Sequence, residues 1–381
     1  MMVTLRGITW GHSRGYTSVV ATAQRFGELH PKVNIQWEKR SLQAFADGSL
    51  DTLAQQYDLL VIDHPWAGFV VEKSLLLPLQ QYLPAGYLAD QKANSVGGSH
   101  ESYEFNGCQS ALAIDAATPI AVYRPDHLAA GRFRLTTTWD HLLALAQAGR
   151  VIYAGIPINL LMDFLMLCAT RGGTWFDGET ITDRETGIEA LETLRELASY
   201  CPEAIFDADP IQIHETLSRE DRWSYCPFAY GYSNYSRRGY ARYLLKATDV
   251  VSYHGNALRT VLGGAGLAIS AHSQHRDIAL DYLRYTASAA IQKTLFFDTG
   301  GQPGHRAAWI DAEVNRRSLD FFADTLMTLD RSAKRPRYNG FLTFQDYAGH
   351  GVRDFVMRGG SSKATFDTLN QLYQDSLRGT E

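Results

Sequence analysis

The sequence predicts an α/β protein built as two lobes. Three observations carry that expectation. The first third alternates strand and helix patterns as βαβαβ, which favours a parallel sheet covered by helices. A long, mostly helical middle is followed by a return of strand pattern at 261–270. The chain is 381 residues long and 45% hydrophobic, more material than one core organises.

Taken in order, Val3–Trp10 is an apolar run that reads as a strand. Ser18–Leu29 sets Val19, Val20, Ala23 and Phe26 on one helical face. Val33–Trp37 alternates with period two and reads as a second strand. Tyr57–Ile62 is continuously apolar, as expected of a strand buried on both faces of a parallel sheet. Pro84, Gly86, Gly97, Gly98 and Gly107 mark a turn-rich segment. Ser110–Asp115 and Ile120–Tyr123 read as two strands, or as one long strand broken near Thr118-Pro119. Helical patterns follow at Trp139–Gln147, Leu160–Thr170 and Thr186–Tyr200. Strand pattern returns at Val261–Ser270, then helices at Asp277 to about Thr294, Arg317–Leu329 and Ala364–Leu377. No internal repeat and no low-complexity tract occurs.

Composition excludes several classes. There are 36 basic and 41 acidic residues, a formal charge of −5, which leaves no footprint for nucleic acid or an anionic membrane. The longest apolar candidate, Ile158–Ala169, is interrupted by Asp163 and falls short of the roughly 18 residues of a span. The N-terminal MMVTLRGITW has no charged n-region, long apolar core or small-residue cleavage site, so it does not read as a signal peptide. Either a leader was removed or none existed. Cys108, Cys168, Cys201 and Cys226 form no C-x-x-C pair, imply no disulfide framework, and Cys168 reads as core.

Gly11-His12-Ser13-Arg14-Gly15 fits G-x-S-x-G, the nucleophile elbow of α/β-hydrolases. That elbow needs earlier strands and an upstream loop to supply an oxyanion donor. Only about ten residues precede Ser13, so the expected reading is a loop leaving the first strand. Loops at the carboxyl ends of parallel strands are where open α/β sheets bind ligands. Trp10, His12 and Arg14 lie there and offer an apolar face, a switchable donor or acceptor and a forked cation.

Asp63-His64-Pro65-Trp66 ends the third strand at the same sheet edge, if the strands are parallel. Adjacent residues on an extended chain point apart, so Asp63 and His64 read as ligand floor with Trp66 as platform, not as a catalytic dyad. His272 and His275 lack further ligands at metal spacing, and Ser273 looks like a helix cap. Gly263-Gly-Ala-Gly266 runs into a strand, not a helix, so it lacks the phosphate-loop context and instead permits close backbone approach or a bend. In "DRWSYCPFAYGYSNYSRRGY", Tyr230 and Tyr232 flank Gly231 at period two and suit a pocket wall, and Trp175 adds a candidate platform.

Six segments, in order, resemble the family 1 extracellular solute-binding proteins of ABC importers, the group of sugar- and maltodextrin-binding proteins. They are YDLLVIDHPWAGFVVEKSLLLPL (57–79), CQSALAIDAATPIAVYRPDHL (108–128), TTWDHLLALA (137–146), LCATRGGTWFD (167–177), VLGGAGLAISAHSQHRDIALDYLRYTASAAIQ (261–292) and GGQPGHRAAW (300–309).

The resemblance implies a two-lobe periplasmic-binding-protein-like fold (type II), its lobes joined by a hinge of crossing strands. Lobe one would be residues 1–117 plus 265–311, and lobe two 118–264 plus 312–381, with the ligand in the cleft between them. Carried over by position, the ligand-binding residues are Trp10, His12, Arg14, Asp63, His64, Trp66, Asp115, Trp175, Tyr230, Tyr232, Gly263, Gly264 and Gln302. No catalytic residue, metal or cofactor is implied. The partners are a small-molecule ligand, a carbohydrate or related polyol or sugar acid, and a membrane ABC permease, with a monomer expected and no nucleic acid. Arg14 could pair with a ligand carboxylate, which keeps an acidic sugar open. The place of action is the periplasm or cell surface. The alternatives are a serine hydrolase using Ser13 and a leaderless cytoplasmic sensor on the same fold.

Overall fold

The computed structural model describes residues 2–173 and 175–378. The chain forms two compact units. The first comprises Met1–Ala117, Gly263–Arg316 and Arg337–Asn339; the second comprises Thr118–Leu262, Arg317–Pro336 and Gly340–Glu381. Gly263, Gly264 and residues 312–316 thus lie in the first unit, where the sequence reading had assigned them to the second, and the chain returns to the first unit once more at Arg337–Asn339.

The strands of the two larger sheets, in chain order, are β1 (Val3–Trp10), β2 (Val33–Arg40), β3 (Leu59–Ile62), β4 (Leu112–Ala117), β5 (Pro119–Tyr123), β6 (Tyr225–Tyr230), β7 (Lys246–Thr248) and β8 (Gly263–Ile269). The first unit holds a five-stranded sheet ordered β2-β1-β3-β8-β4. β1 runs parallel to β2, from Val3 opposite Val33 to Trp10 opposite Arg40, and parallel to β3. β8 runs antiparallel to both β3 and β4. The buried run Leu59-Leu60-Val61-Ile62 sits inside this sheet because it carries no polar face to expose. Leu5, Val19, Phe26, Leu59, Val61, Leu112, Leu267, Ile269 and Tyr282 share one apolar core.

The helix Thr17–Leu29 buries Val19, Ala23 and Phe26, as its 3.6-residue period requires. The 110–123 stretch is two strands that belong to different sheets, β4 in the first unit and β5 in the second. Other expectations are corrected. The turn-rich 84–107 segment contains a helix, Ala85–Ala93, entered from Pro84. The helix after β8 begins at Arg276 with His275 at its N-cap position; Ser273 does not cap it but donates to Asp58 Oδ1 at 2.6 Å. That helix ends at Ala287, and Ser288 restarts the chain as a short turn, Ala289–Ile291, followed by a π-turn, Gln292–Phe296. The 317–329 pattern is also split: Leu319 and Asp320 take positive φ, and the helix runs Phe321–Asp330.

The second unit has a three-stranded antiparallel sheet, β6-β5-β7. Its central helix, Pro157–Arg171, is buried from Asn159 to Thr170, and Cys168 is in that core. The helices Arg184–Ser199 and Phe341–Arg358 pack on it. Tyr225 and Phe228 of β6 are both buried. No helix among the described residues is long and apolar enough to cross a membrane.

Candidate ligand-binding site

The candidate residues fall on both units. In the first unit, the chain leaves β1 through a tight turn. His12 O accepts the N–H groups of Gly15 (3.0 Å) and Tyr16 (2.7 Å), so the turn leads directly into the following helix. His12 Nδ1 accepts the Arg14 N–H at 3.0 Å, which places the proton of the neutral ring on Nε2. Ser18 Oγ donates to Arg14 O at 3.1 Å. Gly15 is required by packing: a Cβ there would lie 2.3 Å from the Trp10 indole. Trp10 is therefore closed by Gly15, and Phe45 packs against it with tilted rings, 4.8 Å between centroids. The Trp10 ring belongs to the core and is 4% exposed, so the apolar face expected for a ligand is used inside the protein.

Arg14 and Asp115 form a buried bidentate pair. Nε donates to Oδ2 at 2.7 Å and Nη2 to Oδ1 at 2.5 Å, with side chains 5% and 1% exposed. This is fork-to-carboxylate geometry. Burial raises the Asp115 carboxyl; Arg14 opposes that rise, and the charge of Asp63 adds to it. The edge of Arg14 expected to grip a ligand carboxylate is thus engaged by this chain's own Asp115.

The segment after the π-turn fixes Asp115 from the other side. Gln302 Nε2 donates to Ala116 O at 2.8 Å, and the Ala116 N–H donates back to Gln302 O at 3.3 Å. Gln302 is buried and uses its amide to hold β4. Gly264 has φ of +110°, and a Cβ there would sit 2.4 Å from Asp115 O. Gly263 pairs with Ala117 on the same ladder. The glycines permit close backbone approach, as their strand context suggested.

Asp63 and His64 do come together, contrary to the extended-chain argument. Asp63 is extended, but His64 opens a 3-10 turn, His64–Trp66. Asp63 Oδ1 accepts the His64 N–H at 2.8 Å and lies 3.3 Å from His64 Nδ1. The turn brings the ring back over its own cap. His64 is fully buried beside the Tyr103 ring, and Trp66 meets Phe69 edge to face at 5.2 Å.

In the second unit, Tyr230 ends β6 and donates its hydroxyl to Val261 O at 3.2 Å. Tyr232 lies beyond the strand, buried edge-on against His214 at 5.7 Å. Trp175 is half-buried, turned edge to face on Phe176 at 5.1 Å, with Nε1 3.4 Å from Lys334 O. These three aromatics make contacts with different partners.

No group of three or more His, Cys, Asp or Glu among the described residues could hold a metal. A Ser–His–Asp chain does occur in the second unit. Ser224 Oγ lies 3.0 Å from His127 Nδ1, and Asp221 Oδ1 lies 3.0 Å from Nε2. The ring nitrogens are used in the reverse order to a catalytic triad, and Ser224 is fully buried, so its hydroxyl meets no substrate. The sequence reading named Arg14 and Asp115 but missed their pairing. One signal was available: Asp115 is the only charge in ALAIDAATPIAVY (111–123), and a lone buried charge demands a partner.

Two α/β units, with strands from distant segments completing one sheet and a charged turn at the carboxyl edge of β1, define the fold class of the two-lobe solute-binding proteins. The chain belongs to the bacterial extracellular solute-binding protein family, whose sequence profile matches residues 21–315. Among solved structures, it is similar to maltose-bound T. maritima MalE3, with a TM-score of 0.83 and 16% identity, covering 98% of this chain and 99% of that one. It is also similar to an ABC transporter solute-binding protein from Agrobacterium radiobacter in complex with ribitol (TM-score 0.82, 17% identity, 98% of each chain). A third likeness is to the GacH receptor of Streptomyces glaucescens, solved unliganded and with acarbose (TM-score 0.81, 14% identity, 100% of each chain).

Proposed function

We propose that this chain captures a small polar solute, a carbohydrate or polyol, and delivers it to the membrane permease of an ABC importer. The family match over residues 21–315 carries the reading. Fold likeness to proteins solved with maltose, ribitol and acarbose supports a hydroxyl-rich ligand. The protein acts as a monomer outside the cytoplasmic membrane, without turnover or cofactor. Ligand contacts stronger in one conformation than in the other favour the form that the permease reads.

Within this reading, Asp63 accepts hydrogen bonds from ligand hydroxyls, His12 Nε2 donates one, and Asp115 acts beneath them by holding Arg14. Trp66, Trp175, Tyr230 and Tyr232 supply aromatic surface to apolar sugar faces. Trp10, Gly263, Gly264 and Gln302 act beneath them by fixing the Arg14 turn and β4. A micromolar ligand needs a net of about 8 kcal/mol, within reach of a few hydrogen bonds and one or two stacked rings.

Calorimetry with maltose, ribitol and a panel of neutral sugars tests the reading. Asp63→Ala is expected to weaken binding at least tenfold, and the lost cap alone costs about 1 kcal/mol of stability. Unchanged affinity in that variant removes Asp63 from the site. Hydrolysis of a nitrophenyl ester that disappears in Ser13→Ala would replace the reading with a hydrolase.

A further inference from the structure

We infer that Arg337–Asn339, the three residues by which the chain comes back to the first unit, form a strap that positions the 63–66 turn for its ligand, with Arg337 as the positioning residue. The inference rests on the solute-capture reading above, which puts ligand contacts on that turn. It adds that the turn is set by a segment near the other end of the chain.

After β3 the chain makes the 3-10 turn His64–Trp66 and passes without a break into a short helix, Ala67–Glu72. A helix this short is marginal by itself, and its first N–H groups have no partner inside it. The strap supplies what is missing. The Gly68 N–H, in the first turn, donates to Arg337 O at 2.8 Å. At the last residue of the helix, Glu72 Oε2 accepts from Asn339 Nδ2 at 2.8 Å. The strap thus grips this helix at both ends. The approach is close enough to require glycine, since a Cβ on Gly68 would lie 2.0 Å from Arg337 O and 3.0 Å from Tyr338 Cα.

The Arg337 side chain reaches a second segment that touches the turn. Its Nη1 donates to Glu101 O and Glu104 O, each at 2.6 Å. Between those carbonyls in sequence stands Tyr103, whose ring meets His64 edge to face at 6.4 Å and whose hydroxyl donates to Ile62 O at 3.4 Å. One residue therefore joins two supports of the turn: by its carbonyl the helix that follows it, by its guanidinium the segment that braces His64. Alanine at 337 takes the charged donor from two carbonyls and loosens both supports. A loosened turn must be ordered when a ligand binds, and affinity falls by that cost.

The test uses the full-length protein and two measurements. Amide hydrogen exchange reads the turn without any ligand. In Arg337→Ala, exchange is expected to rise at least tenfold at 64–72 and 101–105 and to stay within twofold of wild type along β2. Arg337→Lys, whose ammonium still donates to carbonyls, stays near wild type throughout. A residue that merely adds global stability would instead raise exchange along β2 as well. Calorimetry with maltose, ribitol and the panel of neutral sugars reads the site. Any compound that binds wild-type protein is expected to bind Arg337→Ala at least fivefold more weakly, and Arg337→Lys within twofold. Asn339→Ala, which removes only the exposed bond to Glu72, moves both measurements in the same direction by less, and it decides the matter if Arg337→Ala does not fold. Wild-type exchange at 64–72 in these alanine variants, or faster exchange there with affinity unchanged, overturns the inference and leaves solute capture standing. If no compound of the panel binds wild-type protein, the solute-capture reading fails and the inference falls with it.

Discussion

Arg14 and Asp115 lie 101 residues apart in sequence, yet they form a buried bidentate ion pair in the first unit. Removing one partner leaves the other buried without this ion pair. Asp115→Ala is expected to cost about 3–5 kcal/mol in urea unfolding, whereas Arg14→Met/Asp115→Leu, which removes both charges at similar volume, costs far less. Equal losses in the two variants would mean that the pair contributes only packing. Gly264→Ala sets a side chain against Asp115 O at a φ that L-residues rarely adopt, and is expected to destabilise by about 2 kcal/mol or more. A Gly264→Ala protein as stable as wild type would show that β4 and β8 separate easily. At this scale the sequence was half legible. Residue types and the β1 loop named His12, Arg14 and Asp63. Whether Trp10 faces ligand or core depended on Phe45 and Gly15, and an aromatic beside a loop looks the same in either case. The Asp63–His64 contact depended on a backbone turn that residue spacing does not encode.

Among the elements, the helix Pro157–Arg171 carries the most informative conflict. It is buried along its whole middle, yet it holds Asp163, whose Oδ2 is buried without a hydrogen-bond partner. Burial raises the Asp163 carboxyl well above its ordinary range. Burial raises Tyr153 and Cys226 as well, and the charge of Asp163 adds to both. The sign follows from proton counting. The folded state keeps the Asp163 proton above pH ~4, where the unfolded chain releases it, so stability is full at low pH and falls as pH rises. The contribution is about 1.4 kcal/mol per pH unit, until the folded carboxyl itself ionises. Asp163→Asn should flatten the fall in unfolding free energy between pH 4 and 7 relative to wild type. Parallel curves would show that Asp163 ionises in the folded protein. Helices with an unbroken apolar stripe, such as Thr17–Leu29 and Trp139–Gln147, were legible because period and burial agree. Phe341–Arg358 escaped notice because Gly349 and Gly351 interrupt a stripe of Phe344, Ala348, Val352 and Phe355. Pro210–Arg219 carried a readable start that went unused, the Asp209/Gln212 capping box followed by Pro210.

At the scale of the whole molecule, strand order carries a consequence for folding. The alternation that announced an α/β protein described β1, β2 and β3 well, because parallel strands and their helices are local in sequence. It could not show that β8, from the far side of the second unit's first segment, inserts between β3 and β4. Non-local pairing of that kind has no periodicity to reveal it. The second unit is completed late as well, since Phe341–Arg358 covers the buried helix Pro157–Arg171. Neither unit is therefore finished by the first 262 residues. A fragment ending at Leu262 would hold β2-β1-β3 with an open edge at β3, β4 without its partner, and an apolar helix without its cover. Such a fragment is expected to lack a cooperative thermal transition and to aggregate, while the full chain melts cooperatively. Adding residues 263–381 as a separate chain during refolding should restore the transition, since it supplies both β8 and the covering helix. Amide protection of Val3–Ile62 in the fragment equal to that in the full chain would sink this account, because it would show that the three parallel strands hold together without β8.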